Sequence, residues 1–192
     1  HDANRAGAQI LLLRFLKKLV EHAGVQFHVL LKHGGPLADE FERLAPTFYA
    51  YPAVGRRRRA LRRLFPHAVN RPSVLPQLTG ETYDLVVSNT ITNGDLLAEL
   101  AGLGCPIVTY AHELEIGISM YTTPEAFGQT LRHSDYFMAC SRVQRDRYIA
   151  NYGIDPTRID YLPSLLPDEA ADTGQLLGQS DRLRNQLGLP SD

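Results

Sequence analysis

"YDLVVSNTITNGDLLAELAGLGCPIVTYAH", Tyr83 to His112, decides the fold. It opens on an apolar run, "YDLVVSN", too short for a helix and rich in valine. A helical segment follows from Gly94 to Leu103 and Gly104 closes it, a residue suited to the left-handed turn that ends helices. "CPIVTYAH" is then a second apolar run. Two such strands, neither alternating polar with apolar, are expected to be buried on both faces, and the helix between them makes the pair parallel.

The alternation continues in both directions. "PEAFGQTLRHS" reads as a helix, "DYFMACS" as a strand, and "RIDYLPS" as a last short strand. Ser141 and Gln144 have the spacing of a capping box that starts the helix "RVQRDRYIANY", and Gly153 ends it. Toward the amino terminus, Ile10 to Glu21 is an amphipathic helix. Arg14, Lys17, Lys18 and Glu21 form its polar stripe; Leu12, Leu16, Leu19 and Val20 are expected on the buried face. "VQFHVLL" is a strand, "GGPLADEFERL" a helix capped by Gly35 with Pro36 in its first position, and "TFYAYP" a short strand. "GRRRRALRRLF" is a basic helix, and "NRPSVLPQLTG" a loop with one helical turn. The expected architecture is α/β: a Rossmann-like parallel sheet with helices on both faces.

Bulk properties exclude several classes. The 192 residues are 44% hydrophobic and 21% charged, which is ordinary for a folded domain. A formal charge of −1 gives no global field for nucleic acid. Cys105 and Cys140 are isolated, which fits a reducing cytoplasm and builds neither a disulfide framework nor a zinc site. No apolar run approaches the roughly 18 residues that a membrane span needs. His112, Glu113 and Glu115 lack the spacing of a zinc-protease helix, so no metal site is expected.

Ligands of parallel sheets bind beyond the carboxyl ends of the strands. The residues to interrogate are therefore the opening turn around Gly7, then His33–Gly35, Asn89–Asn93, His112–Glu115 and Ser141–Arg142. The turn "NRAGAQ" feeds a helix N-terminus, whose N–H groups suit a phosphate, but it holds one glycine and no dinucleotide fingerprint. His112 is either a titrating site residue or an idle structural one. Asn89 and Thr90 are candidate hydroxyl binders, whereas Thr92 and Asn93 are expected to cap the next helix. Arg56, Arg57, Arg58, Arg59, Arg62 and Arg63 form the densest charge in the chain. They are either a solvated helix face or a grip on an anionic lipid or acceptor.

Taken in order, "HDANRAGAQILLLRFLKKL", "YAHELE", "FMACSRVQRDRYIANYGIDPTRIDYLPS" and "LRNQLGLP" resemble the N-terminal half of retaining glycosyltransferases of family 4, which have the GT-B fold. The resemblance runs from His1 to about Ser164. It implies an acceptor-side domain over 1–164 that lacks the family's first strand, and a linker over 165–192 toward a donor-binding domain. It implies a hexosyl-type transferase that uses a nucleotide sugar as substrate, with no cofactor and no metal. The fragment alone is expected to be inactive. By the same resemblance, Gly7 and Ala8 lie against the donor diphosphate, with Ala6 and Ala8 flanking the glycine where the family often has two adjacent glycines. His112 is the catalytic positioning residue. Arg5, Asn89, Thr90 and Glu113 are candidate acceptor or sugar contacts. The acceptor is expected to be a sugar, a lipid-linked or another molecule, and the expected location is cytoplasmic, with the arginine run a candidate for peripheral contact to the inner membrane face. The rival readings are a non-catalytic α/β binding module, another GT-B enzyme such as a sugar epimerase or phosphorylase, and, distantly, a nicotinamide dehydrogenase.

Overall fold

The structure is a computed structural model, and it describes residues 2–51 and 73–163. The arginine run and the segment from 165 onward lie outside the described residues. The elements are α1 (Gly7–Ala23), β1 (Val29–Leu31), α2 (Ala38–Leu44), β2 (Thr47–Tyr49), α3 (Leu75–Leu78), β3 (Val86–Ser88), α4 (Gly94–Leu100), β4 (Ile107–Ala111), α5 (Glu115–Tyr121), α6 (Pro124–His133), β5 (Tyr136–Ala139), α7 (Arg142–Tyr152) and β6 (Ile159–Tyr161). Every strand pairing is parallel, as the apolar strands require.

The strands fall into two sheets rather than one: β1–β2, and β3–β4–β5–β6 in that order. In the larger sheet β4 is paired on both edges and is the most buried strand. Among the described residues, β1 and β3 each keep one edge without a strand partner. On β3, Val87 is 48% exposed and Leu85, just ahead of the strand, 47%, so among the described residues one face of the strand is incompletely covered.

Three apolar clusters hold the molecule. Phe137, Ile159, Tyr148, Ile118 and Ile91 pack around β4 to β6. Leu13, Leu31, Leu37 and Phe41 join α1 to β1 and α2. The third cluster spans the seam between the sheets, with Leu30 and Phe48 packed against a core of Ala50, Val74, Leu96, Leu97 and Ile107. Polar bonds also cross the seam. His28 Nδ1 lies 2.7 Å from the Tyr83 hydroxyl, and Lys32 Nζ donates to Asp95 at 2.8 Å and to the Thr92 carbonyl at 3.2 Å.

Several local expectations change. In α1, Gln9 and Leu13 are the buried residues, and Val20 stands 48% exposed. Among the described residues, α2 and β1 pack against this helix, and its apolar flank is covered in part. Helix α2 begins at Ala38, after a turn at Pro36 and Leu37. Gly35 is needed there for closeness rather than capping: a Cβ would sit 2.5 Å from the Ala3 carbonyl oxygen. The helix from Gly94 is α-helical to Leu100 and tightens into a 3₁₀ turn before Gly104, whose φ of 75° is left-handed as read. Helix α5 has no counterpart in the sequence reading. Its N-cap is Leu114, which makes no side-chain cap bond.

Candidate active site

The opening turn, the end of β3 and the end of β4 meet at one rim. Asn89 follows β3 and is buried. Its amide Nδ2 donates to the Ala8 carbonyl at 2.8 Å, in the first turn of α1. That bond fixes which end of the amide faces the other way. Asn89 Oδ1 then lies 3.1 Å from His112 Nε2, so the neutral imidazole carries its hydrogen on Nε2 and its lone pair on Nδ1. The ring leans on Tyr110, with centroids 4.3 Å apart. Gly7 and Ala8 are therefore joined to His112 through one side chain.

Helix α1 opens without a side-chain cap: Ala6 is the N-cap and no acid occupies the first turn. Its leading N–H groups form the positive end of a 17-residue helix. A Cβ built on Gly7 meets nothing within 4 Å. The space over Gly7 is therefore open.

Glu113 faces inward. Its carboxylate accepts from Thr90 Oγ1 at 2.6 Å, from the Ile91 N–H at 3.3 Å and from the His112 N–H at 3.1 Å. Its carbonyl accepts from Gln144 Nε2 at 2.8 Å and from the Tyr148 hydroxyl. Burial, with Glu113 nearby, pushes the Tyr148 hydroxyl far above its usual range, so it stays a donor. Glu113 and Thr90 hold the loop after β3 against the loop after β4, and so position His112 and Asn89. Arg5 is exposed and points to Glu40 on α2, at 3.8 Å.

Asn93 stands at the N-cap of α4, but its side chain does not cap. Its Nδ2 donates to Ser88 Oγ at 3.2 Å, and its buried Oδ1 has no partner among the described residues. Thr92 Oγ1 pairs with Thr90 Oγ1 instead of capping. At the start of α7, Ser141 Oγ accepts from the Gln144 N–H at 3.1 Å, as the capping spacing predicts. Gln144 Oε1, however, accepts from the Cys140 N–H, one residue earlier than a capping box requires. Gln144 Nε2 meanwhile donates to the Glu113 carbonyl, a positioning role the motif did not announce. Cys105 and Cys140 are both free, and burial pushes the Cys140 thiol up, away from reactivity. Among the described residues no cluster of His, Cys, Asp and Glu could hold a metal, and no helix is long and apolar enough to cross a membrane.

The domain is Rossmann-like α/β, with these polar residues gathered at the carboxyl rim of its parallel strands, where ligands of such sheets bind. The comparisons narrow that class. The profile of Glycosyltransferase Family 4 matches residues 5–166, and the chain belongs to that family. Its fold is shared with HepE from Anabaena, a crystal structure in complex with UDP and glucose, at a TM-score of 0.61 and 20% identity. That alignment covers 95% of this chain and 47% of HepE, so the chain spans about half the length of its structural relative. No curated protein matches its sequence.

Proposed function

We propose that this chain forms the acceptor-side wall of a two-domain hexosyltransferase that uses a nucleotide sugar and retains the anomeric configuration. The observation that carries the proposal is the Ala8–Asn89–His112 linkage, which sets an uncapped helix N-terminus and an oriented imidazole side by side. The helix end suits the diphosphate, whose charge grows as the sugar departs. His112, with its ring held by Asn89 and Tyr110, is the group placed to orient a sugar hydroxyl at this rim. In the step itself, the bond from the anomeric carbon to the diphosphate oxygen breaks. The acceptor oxygen bonds to the same face of that carbon, and its proton passes to the departing phosphate. His112 positions and polarises; it does not attack.

The acceptor, a saccharide or a lipid-linked molecule, docks at the rim beyond β3, where the buried Asn89 and Thr90 act as positioning residues rather than as contacts. The arginines from Arg56 to Arg63 approach the inner membrane face. Donor recognition belongs to a facing domain, so the 192 residues alone do not turn over. HepE, a relative whose structure holds UDP and glucose, supports UDP-glucose as the first donor to assay.

In an enzyme that carries both halves, His112→Ala is expected to lower kcat about 100-fold with little change in acceptor KM. An unchanged kcat removes His112 from the site. Robust sugar transfer by the 192-residue chain alone would overturn the two-domain reading.

A further inference from the structure

Lys32 follows β1 on the two-stranded sheet, yet both acceptors of its ammonium group lie on the rim of the other sheet. Its Nζ donates to the Thr92 carbonyl at 3.2 Å, in the loop after β3. It also donates to Asp95 Oδ1 at 2.8 Å, in the first turn of α4. Asp95 Oδ2 is held from a second side by the hydroxyl of Tyr51, which follows β2, at 2.7 Å. Helix α4 begins here without a side-chain cap. Thr92 and Asn93, the residues that could cap it, bond Thr90 and Ser88 instead. Lys32 therefore does what a cap would have done and fixes the junction of loop and helix.

From Thr92 the bonds run on to His112. Thr90 Oγ1 carries one hydrogen, and the Glu113 carboxylate takes it at 2.6 Å. The same oxygen must then accept from the Thr92 N–H at 3.2 Å and from Thr92 Oγ1 at 3.1 Å. Glu113 Oε2 in turn accepts from the His112 N–H at 3.1 Å. Thr90 is wholly buried, so solvent does not compete for these bonds.

We propose that Lys32 is a positioning residue for the transfer reaction: through Thr92, Thr90 and Glu113 it sets the place of His112. The two-stranded sheet thereby governs an imidazole carried on the four-stranded one. The effect on rate rests on the transferase reading; the path itself is a property of this chain. Exposed pairs of two long side chains contribute little, because both ends move. Here the lysine side chain is only 20% exposed, one acceptor is backbone and the other is tethered by Tyr51.

Amide hydrogen exchange in the 192-residue chain, resolved by NMR, tests this. In Lys32→Met the His112 amide is expected to exchange about tenfold faster, while Thr109 and Tyr110 in β4 keep the parent's rates. Thr90→Val cuts the path at its middle and leaves the ion pair in place. It should quicken the His112 amide as well, and adding Lys32→Met to it should add nothing further. If Lys32→Met does not fold, Lys32→Gln is read by the same amides, with the same direction expected. A His112 amide at the parent's rate in the lysine variant, or effects of the two substitutions that simply add, would overturn the proposal. In an enzyme that carries both halves, Lys32→Met should lower kcat about tenfold with little change in acceptor KM. A fast His112 amide beside an unchanged kcat would leave the path standing and count against the transferase reading, so the two failures are told apart.

Discussion

The two sheets of this molecule are packed to different standards. The four-stranded sheet has a doubly paired centre in β4 and a core of fully buried aromatic and branched side chains. The two-stranded sheet leans on α1 and α2, and α1 leaves Phe15 and Val20 about half exposed. The candidate site straddles them: His112 and Glu113 stand on the well-packed sheet, and the α1 N-terminus belongs to the other. Precision at the site is therefore limited by the seam, where Asn89, Lys32 and His28 carry the polar bonds.

The glycines expose this contrast most sharply. A Cβ at Gly94 would sit 1.7 Å from the Ala126 carbonyl oxygen, where α4 crosses α6. Backbone cannot yield cheaply there, so Gly94→Ala is expected to destabilise by about 3 kcal/mol in urea titrations. Gly7→Ala, with open space and a helical backbone, should stay within about 0.5 kcal/mol of the parent. Equal losses at both positions would break the distinction between the two regions.

A smaller effect is expected at the seam. Lys32→Met removes the partly buried ion pair to Asp95 and should cost about 1 kcal/mol. Hydrogen exchange should quicken in β1 and β2 and stay unchanged in β4. Uniform quickening would mean that the two sheets open as a single unit.

The smallest effect concerns acid. Glu115 is held below its ordinary range by a hydrogen bond from its own backbone N–H and by Asn151 and Arg147. Its contribution to stability is present above the ordinary carboxylate value and is lost as pH falls through the lowered one. Glu115→Gln should flatten the acid limb of the melting temperature against pH. An identical limb in the variant would show that this carboxylate is not linked to folding.

The contrast also decided what could be read from residues alone. Strands β3 to β6 were legible because each is a short apolar run between glycines, prolines or capping residues, and Gly104 and Gly153 adopt the left-handed turns their positions demand. The face of α1 was read in part: Leu12 and Leu16 pack against the cluster of α1, β1 and α2, but Val20 stands exposed, because periodicity names an apolar stripe but not how much partner surface exists to cover it. Helix α5 escaped notice because it has no polar cap and carries Gly117 and two isoleucines in seven residues. His112, Asn89 and the Gly7 turn were singled out by their places after strands and before a helix, and the structure brings them together at one rim. The inward turn of Glu113 and the link from Gln144 depend on contacts between residues 31 positions apart, which spacing does not reveal.

That the imidazole and the α1 N-terminus form one site rests on Asn89. The tautomer of His112 in the 192-residue chain, read from long-range ¹H–¹⁵N NMR spectra at a pH where the ring is neutral, tests this most directly. The Ala8–Asn89–His112 geometry predicts a protonated Nε2 and an unprotonated Nδ1, with the preference lost in Asn89→Leu. A ring protonated on Nδ1, or one indifferent to Asn89→Leu, would contradict it.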